Sequence, residues 1–257
     1  MRRLAAVLVA VAAIAAADDA AAEQLTVALS TNEISIDSNF TGASVTVFGV
    51  IERDAVTVSR AATYEVAVLL RGQRESVVAR RKDPILGIWI NRASETFVAA
   101  PSFYALNTSK ALDEVSTRPL LRRFGIGLDN IGFRYAGRAT VDDPGAAEFR
   151  DAFVRLNQRS GLYRENTGGV DFMGGAVFRS TVWIPANIPV GDYALTVYLF
   201  SGSALLAQAK DTIRITKTGF EQLMFTAAHE QAALYGLACV ALALFTGWLA
   251  GVIFRRD

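Results

Sequence analysis

Tyr64-Glu-Val-Ala-Val-Leu-Leu70 is followed by Arg71-Gly72-Gln73 and then by a second β run that ends over Ser76 to Lys82. The β-branched and aliphatic residues favour extended backbone, and Arg71-Gly72-Gln73 reads as the connection of a hairpin. The same period-two pattern extends on both sides. Val45, Val47 and Gly49 alternate with Thr46, Phe48 and Val50. Ile85 to Ile90, Glu95 to Ala99 and Phe103 to Leu106 follow, divided by Asn91, Ser94 and Pro101. Further on, Phe178 to Ile184, Tyr193 to Phe200, Leu205 to Lys210 and Thr212 to Lys217 repeat it, with Pro, Gly, Asp and Ser turns between them. Many short strands at this spacing predict a mainly β fold, an antiparallel immunoglobulin-like β-sandwich.

The middle of the chain departs from that period. Lys110 to Val115 reads as a short helix. Asp142-Asp143-Pro144 supplies an acidic cap and a proline for the first helical turn. Ala146, Phe149, Phe153 and Leu156 then form an apolar stripe, with Glu148, Arg150, Asp151 and Arg155 facing out, and Gly161 ends the helix. A helical insertion over about 110–165, packed on the sandwich, is the expectation, with two small domains as the alternative.

Two apolar runs flank this body. Met1 to Ala22 has Arg2 and Arg3, fourteen apolar residues from Leu4 to Ala17, and small residues before Glu23. These are the parts of a secretory signal peptide, with cleavage expected after Ala22. Ala232 to Phe254 is a charge-free run of 23 residues closed by Arg255, Arg256 and Asp257, long enough to span a bilayer. Basic residues stay on the cytoplasmic side. The expected layout is therefore a leader at 1–22, a periplasmic ectodomain at 23–220, a juxtamembrane segment at 221–231, one transmembrane helix at 232–254 and a cytoplasmic tail at 255–257. That is a type I protein of the inner membrane. Within the span, Cys239, Ala243, Gly247 and Gly251 recur every fourth residue and make a candidate packing face, for self-association or for another membrane protein.

Composition narrows the functional classes. The chain has 257 residues, is 52% hydrophobic, and carries 26 basic against 25 acidic residues. Setting aside the charges of the leader and tail (two Arg and two Asp; two Arg and one Asp) leaves 22 of each sign, so the exported part is neutral. That argues against a nucleic-acid partner. One Cys excludes an intrachain disulfide, and one His, His229 near the span, makes an acid/base triad hard to assemble. No HExxH, GxxxxGK or GxSxG occurs. Asp129-Asn130 lacks the repeated acidic spacing of a calcium loop, and Gly168-Gly169 with Gly174-Gly175 flank a hairpin or ordered loop. No catalytic residue, metal or cofactor is expected.

Local charge offers more. Arg71, Arg74, Arg80, Arg81, Lys82 and Arg92 form a basic cluster, and Arg118 to Arg138 holds five Arg against Asp129. The first cluster is the candidate anion or partner site; solvated, aggregation-resistant strand edges are the alternative reading. Trp89 and Tyr104 are the notable aromatics, and core packing is expected of an aromatic in a β run.

Arg80-Arg81-Lys82 through Gly87-Ile88-Trp89-Ile90-Asn91-Arg92, Pro101-Ser102-Phe103-Tyr104-Ala105-Leu106, and Ile184-Pro185 through Val190-Gly191-Asp192-Tyr193 resemble an alphaproteobacterial transmembrane protein family of similar layout. The resemblance spans essentially the full chain. It brings no catalytic residues, and it implies a sulfite-exporter-like membrane transporter as a partner. The expected function is a non-enzymatic, membrane-anchored binding or adaptor protein. An anion-binding or sensing module and a membrane-tethered hydrolase are the alternatives.

Overall fold

A computed structural model describes residues 23–52, 63–85, 87–137, 144–218 and 228–253. The leader at 1–22, the caps Asp142 and Asp143, and the tail lie outside the described residues. Twelve strands are described: β1 Gln24–Leu29, β2 Glu33–Ile36, β3 Gly42–Glu52, β4 Tyr64–Arg71, β5 Arg74–Ile85, β6 Ile88–Pro101, β7 Tyr104–Thr108, β8 Tyr163–Thr167, β9 Val170–Phe172, β10 Val177–Pro185, β11 Gly191–Ser201 and β12 Ala204–Lys217. Between β7 and β8 come helices α1 Leu112–Val115 and α2 Arg118–Phe124, a 3-10 turn Leu128–Asn130, and α3 Pro144–Arg159; α4 Ala232–Ile253 is the last element.

β1-β3-β10-β9 make one sheet, and β2-β12-β11-β4-β7-β8 a larger one. Pairing is antiparallel except at β2–β12 and β7–β8, which are parallel. The two sheets pack face to face. Val45, Val47, Phe178 and Ile184 of the smaller meet Val66, Val68, Leu70, Leu195, Val197 and Leu199 of the larger in one buried cluster. Asn107 bridges the layers, donating from Nδ2 to Ser180 Oγ and to the Thr181 carbonyl, each at 2.9 Å. The expected two-sheet sandwich is present; the immunoglobulin-like label goes beyond what this strand order establishes.

The large sheet is covered on its other side too. Ala67, Leu69, Tyr104, Leu106, Tyr198 and Phe200, the alternate residues of the same strands, join Phe97, Val115, Leu121, Ile126 and Phe133 in a second buried cluster. β4 is consequently buried along almost its whole length. Its run Val66-Ala67-Val68-Leu69-Leu70 is continuous rather than alternating in polarity because each face meets apolar side chains. Its one acidic residue, Glu65, is buried against the Lys110 ammonium at 2.6 Å.

Arg71-Gly72-Gln73 is not a hairpin turn. β4 pairs with β11 and β7, while β5 pairs with β6. The register runs on from Arg71↔Tyr104 to Arg74↔Pro101 and out to Ile85↔Ile88. β4–β5 and β6–β7 are thus the two sides of one long ribbon, interrupted at Gly72 and irregular at two points further out. Its outer part, β5–β6, is an arm of 12 and 14 residues, about 40 Å long at ~3.3 Å per residue. Ile85 to Ile90 is therefore no single strand but the end of the arm, with Gly87 in the left-handed region at φ 82°. Gly has no Cβ to oppose that conformation.

α3 begins at Pro144, as the sequence predicts, and Gly161 follows it at φ 77°. Ala146 is buried, and Phe149 and Phe153 pack on the second cluster. Phe153, Phe133 and Tyr135 each lie 5.3 Å from the Phe97 ring of the arm or close to it: the Phe97–Phe133, Phe97–Tyr135 and Phe97–Phe153 centroid distances are all 5.3 Å. Leu156, expected on the buried stripe, is 60% exposed. The helix rests on the arm's root and β8, so its last turn overhangs. α4 is apolar throughout and its side chains are exposed, long enough at 22 residues to cross a membrane.

Candidate functional site

The outer face of the large sheet, the root of the arm and the α2 region enclose a cleft of about 560 Å³. Its walls carry Arg71, Arg74, Arg123 and Lys210, the hydroxyl-bearing Tyr104, Tyr198 and Thr196, and Gln208; among the described residues no Asp or Glu lines it. Each cation arrives from a different element. Arg71 ends β4, on the outward-facing alternation. Arg74 opens β5, and Lys210 sits on β12 beyond Thr196 of β11, its register partner. Arg123 comes from the last turn of α2.

α2 is placed by its ends. Pro119 lies in its first turn, and Gly125 closes it in the left-handed region at φ 64°, where its N–H donates to the Arg122 and Leu121 carbonyls. This closing turn projects two carbonyls toward the sheet. Arg71 Nη2 donates to the Phe124 carbonyl at 2.9 Å and to Tyr198 Oη at 3.3 Å. Tyr104 Oη donates to the Gly125 carbonyl at 2.9 Å and accepts from the Gly127 N–H at 2.8 Å. Burial drives the Tyr104 hydroxyl well above the ordinary phenol range, so it stays a neutral donor. The Phe124 and Tyr198 rings pack with their centroids 5.3 Å apart and their planes tilted by 48°, with the Arg123 guanidinium 5.7 Å above Phe124. Arg71 is thereby a pinned, half-buried cation, while Arg74, Arg123 and Lys210 reach solvent from the rim. Among the described residues none of the four is in an ion pair. Their mutual repulsion is a cost that a bound anion would relieve.

The six cations singled out in the sequence separate. Arg71 and Arg74 enter the cleft. Arg80, Arg81, Lys82 and Arg92 ride out on the arm, where Arg81 pairs with Glu148 of α3 at 3.1 Å and with Asp83 at 3.5 Å. Arg123 belongs to the second Arg cluster, whereas Lys210, a lone Lys on a strand's polar face, carries no local signal in the sequence. Trp89, expected in the core, is 66% exposed at the end of the arm, whereas Tyr104 is buried. Cys239, Ala243, Gly247 and Gly251 lie along α4, Cys239 exposed, and a Cβ on either glycine would meet nothing of this chain. Among the described residues no His, Cys, Asp and Glu side chains gather as a metal ion would require.

A family model described as "Putative transmembrane protein (Alph_Pro_TM)" matches residues 24–256. No curated protein matches the sequence.

Proposed function

Because this chain belongs to the Alph_Pro_TM family of transmembrane proteins, we propose that it is a membrane-anchored, non-enzymatic binding protein whose cationic cleft takes a small oxyanion or an acidic group of a membrane partner. Arg255 and Arg256 behind the span, together with the leader, support a periplasmic ectodomain on an inner-membrane anchor of type I. The observation that carries the binding reading is the convergence of four cations and two tyrosine hydroxyls on one cleft, with no carboxylate among the described residues that line it. A planar guanidinium such as Arg71, already oriented by two hydrogen bonds, suits an oxyanion better than a mobile ammonium does.

Calorimetric titration of the full chain in detergent with sulfate, sulfite and inorganic phosphate tests this. At least one should bind, with affinity that falls as ionic strength rises. Arg74→Glu or Lys210→Glu, both on the exposed rim, should weaken it about tenfold each, the scale of a charge-assisted hydrogen bond. Silence with all three anions, in a chain whose circular dichroism is that of a folded β protein, would remove the small-anion reading.

A further inference from the structure

The end of the β5–β6 arm is apolar and open to solvent. Ile88 and Trp89 are 67% and 66% exposed, and Ile85 and Ile90 are exposed as well. Residues opposite each other on an antiparallel pair share a face, and successive residues alternate. Pro84↔Trp89 therefore lies on one face, and Ile85↔Ile88 and Asp83↔Ile90 on the other. Both faces are greasy. A strand pair docking against another protein needs only one apolar face, whereas a tip sunk in an apolar medium needs both.

Just behind the apolar end sits a basic collar. Arg80, Arg81, Lys82 and Arg92 stand with three carboxylates, Asp83, Glu148 and, one rung behind Arg80, Glu95; Arg81 engages the first two. Arg80, Lys82 and Arg92 are exposed and in no ion pair among the described residues. From the Asp83↔Ile90 rung to the end is two to three residues, about 7–10 Å at ~3.3 Å each. That matches the roughly 5–10 Å to which apolar side chains sink at the headgroup and acyl boundary, and a Trp at that depth is where amphipathic rings settle.

Topology directs the arm to a membrane. β4 and β12 are each antiparallel to β11, so they run in the same direction. Arg71 of β4 pairs with Ala194, which pairs with Thr212 of β12. The strand that continues into the arm and the strand that leads to the span thus leave the same end of the large sheet. The ten residue steps from Thr218 to Ala228, where the backbone is helical again, reach at most about 36 Å, comparable with the arm's length of about 40 Å.

We propose that the end of the arm, Ile85, Ile88, Trp89 and Ile90 with the collar Arg80, Lys82 and Arg92, inserts into an anionic bilayer surface beside the chain's own span. This second anchor would fix the tilt and height of the sandwich above the membrane. It rests on the arm and the span, not on the cationic cleft.

The test uses the full chain in lipid nanodiscs, with Cys239→Ala to free the background and Ile88→Cys carrying an environment-sensitive fluorophore. Ile88 is exposed, so the label displaces no core. In discs containing phosphatidylglycerol the emission should shift to the blue and be quenched by nitroxides on the lipid chains, at least threefold more than in phosphatidylcholine discs. Lys82→Ala should lower the inserted-to-free ratio roughly fivefold, the effect of one basic residue near an anionic leaflet. A label at Ala204→Cys, at the opposite end of the large sheet, should stay unquenched. A water-exposed, unquenched Ile88 label in anionic discs would overturn the proposal. So would a blue shift without lipid quenching, which would place the tip against protein instead.

Discussion

Gly49 stands opposite Phe178 on the β3–β10 ladder, and a Cβ there would fall 2.0 Å from the ring's Cζ. The ring lies flat over the glycine and fills the middle of the sandwich core. Here the glycine is required for space and not for its backbone angles. Gly49→Ala should therefore cost about 1–3 kcal/mol as the ring is forced off its rotamer. Chemical denaturation of the variant checks it, and an unchanged midpoint would mean the sheets separate freely enough to absorb a methyl group. The sequence marks Gly49 only as a break in an otherwise β-branched strand, since its partner lies well over 100 residues away. Trp89 shows the converse. Its local pattern is that of a core aromatic, yet it sits at the end of a ribbon where no other element reaches it.

At the scale of elements, the arm is held at its root by Phe97, which is fully buried among Phe133, Tyr135 and Phe153. These rings come from the arm, the loop after the 3-10 turn, and α3. Phe97→Ala should cost about 3–5 kcal/mol and loosen α3 together with the arm, while the sandwich core on the far side of the large sheet keeps its packing. Hydrogen exchange would show this as lost protection over α3 and β5–β6 with β3, β10 and β11 still protected. Uniform loss across all strands would mean that the two clusters melt as one unit. The strands and α3 were legible from periodicity, because side-chain alternation and the proline start are local. Pairing was not. A hairpin at Arg71–Gln73 and a continuous ribbon through it have the same local composition, and only the contacts of β4 with β11 and β7 separate them. β8 and β9, short and polar, carry no strand period of their own; the hairpin that the flanking glycines of β9 predict agrees with its pairing to β10.

For the whole molecule, burial of tyrosine makes alkaline stability a useful readout. Tyr193 is pushed up to about 12 by burial, its hydroxyl donating to the Pro189 carbonyl. Burial likewise raises Tyr104 and Tyr163, the latter donating to the Pro101 carbonyl at 2.6 Å. An unfolded tyrosine ionises near pH 10, and these native ones hold their protons. The native state therefore binds more protons above pH 10, so stability is intact below that value and falls as pH climbs from 10 toward 12. Absorbance at 295 nm should show these tyrosines ionising together with the loss of β-sheet circular dichroism. Ionisation near pH 10 with the sheets intact would contradict their burial.

The span, the strand-rich body and the amphipathic α3 were set by the chain itself, because run length and residue period act over neighbouring positions. Which cations meet was decided only in three dimensions. Arg71, Arg74, Arg123 and Lys210 share a cleft because β4, the start of β5, β12 and α2 are brought together by two buried faces of one sheet. The other basic residues of the first cluster are carried away on the arm. The physical reason is that burial of apolar surface is indifferent to sequence distance, so it assembles charges whose spacing along the chain says nothing of their meeting.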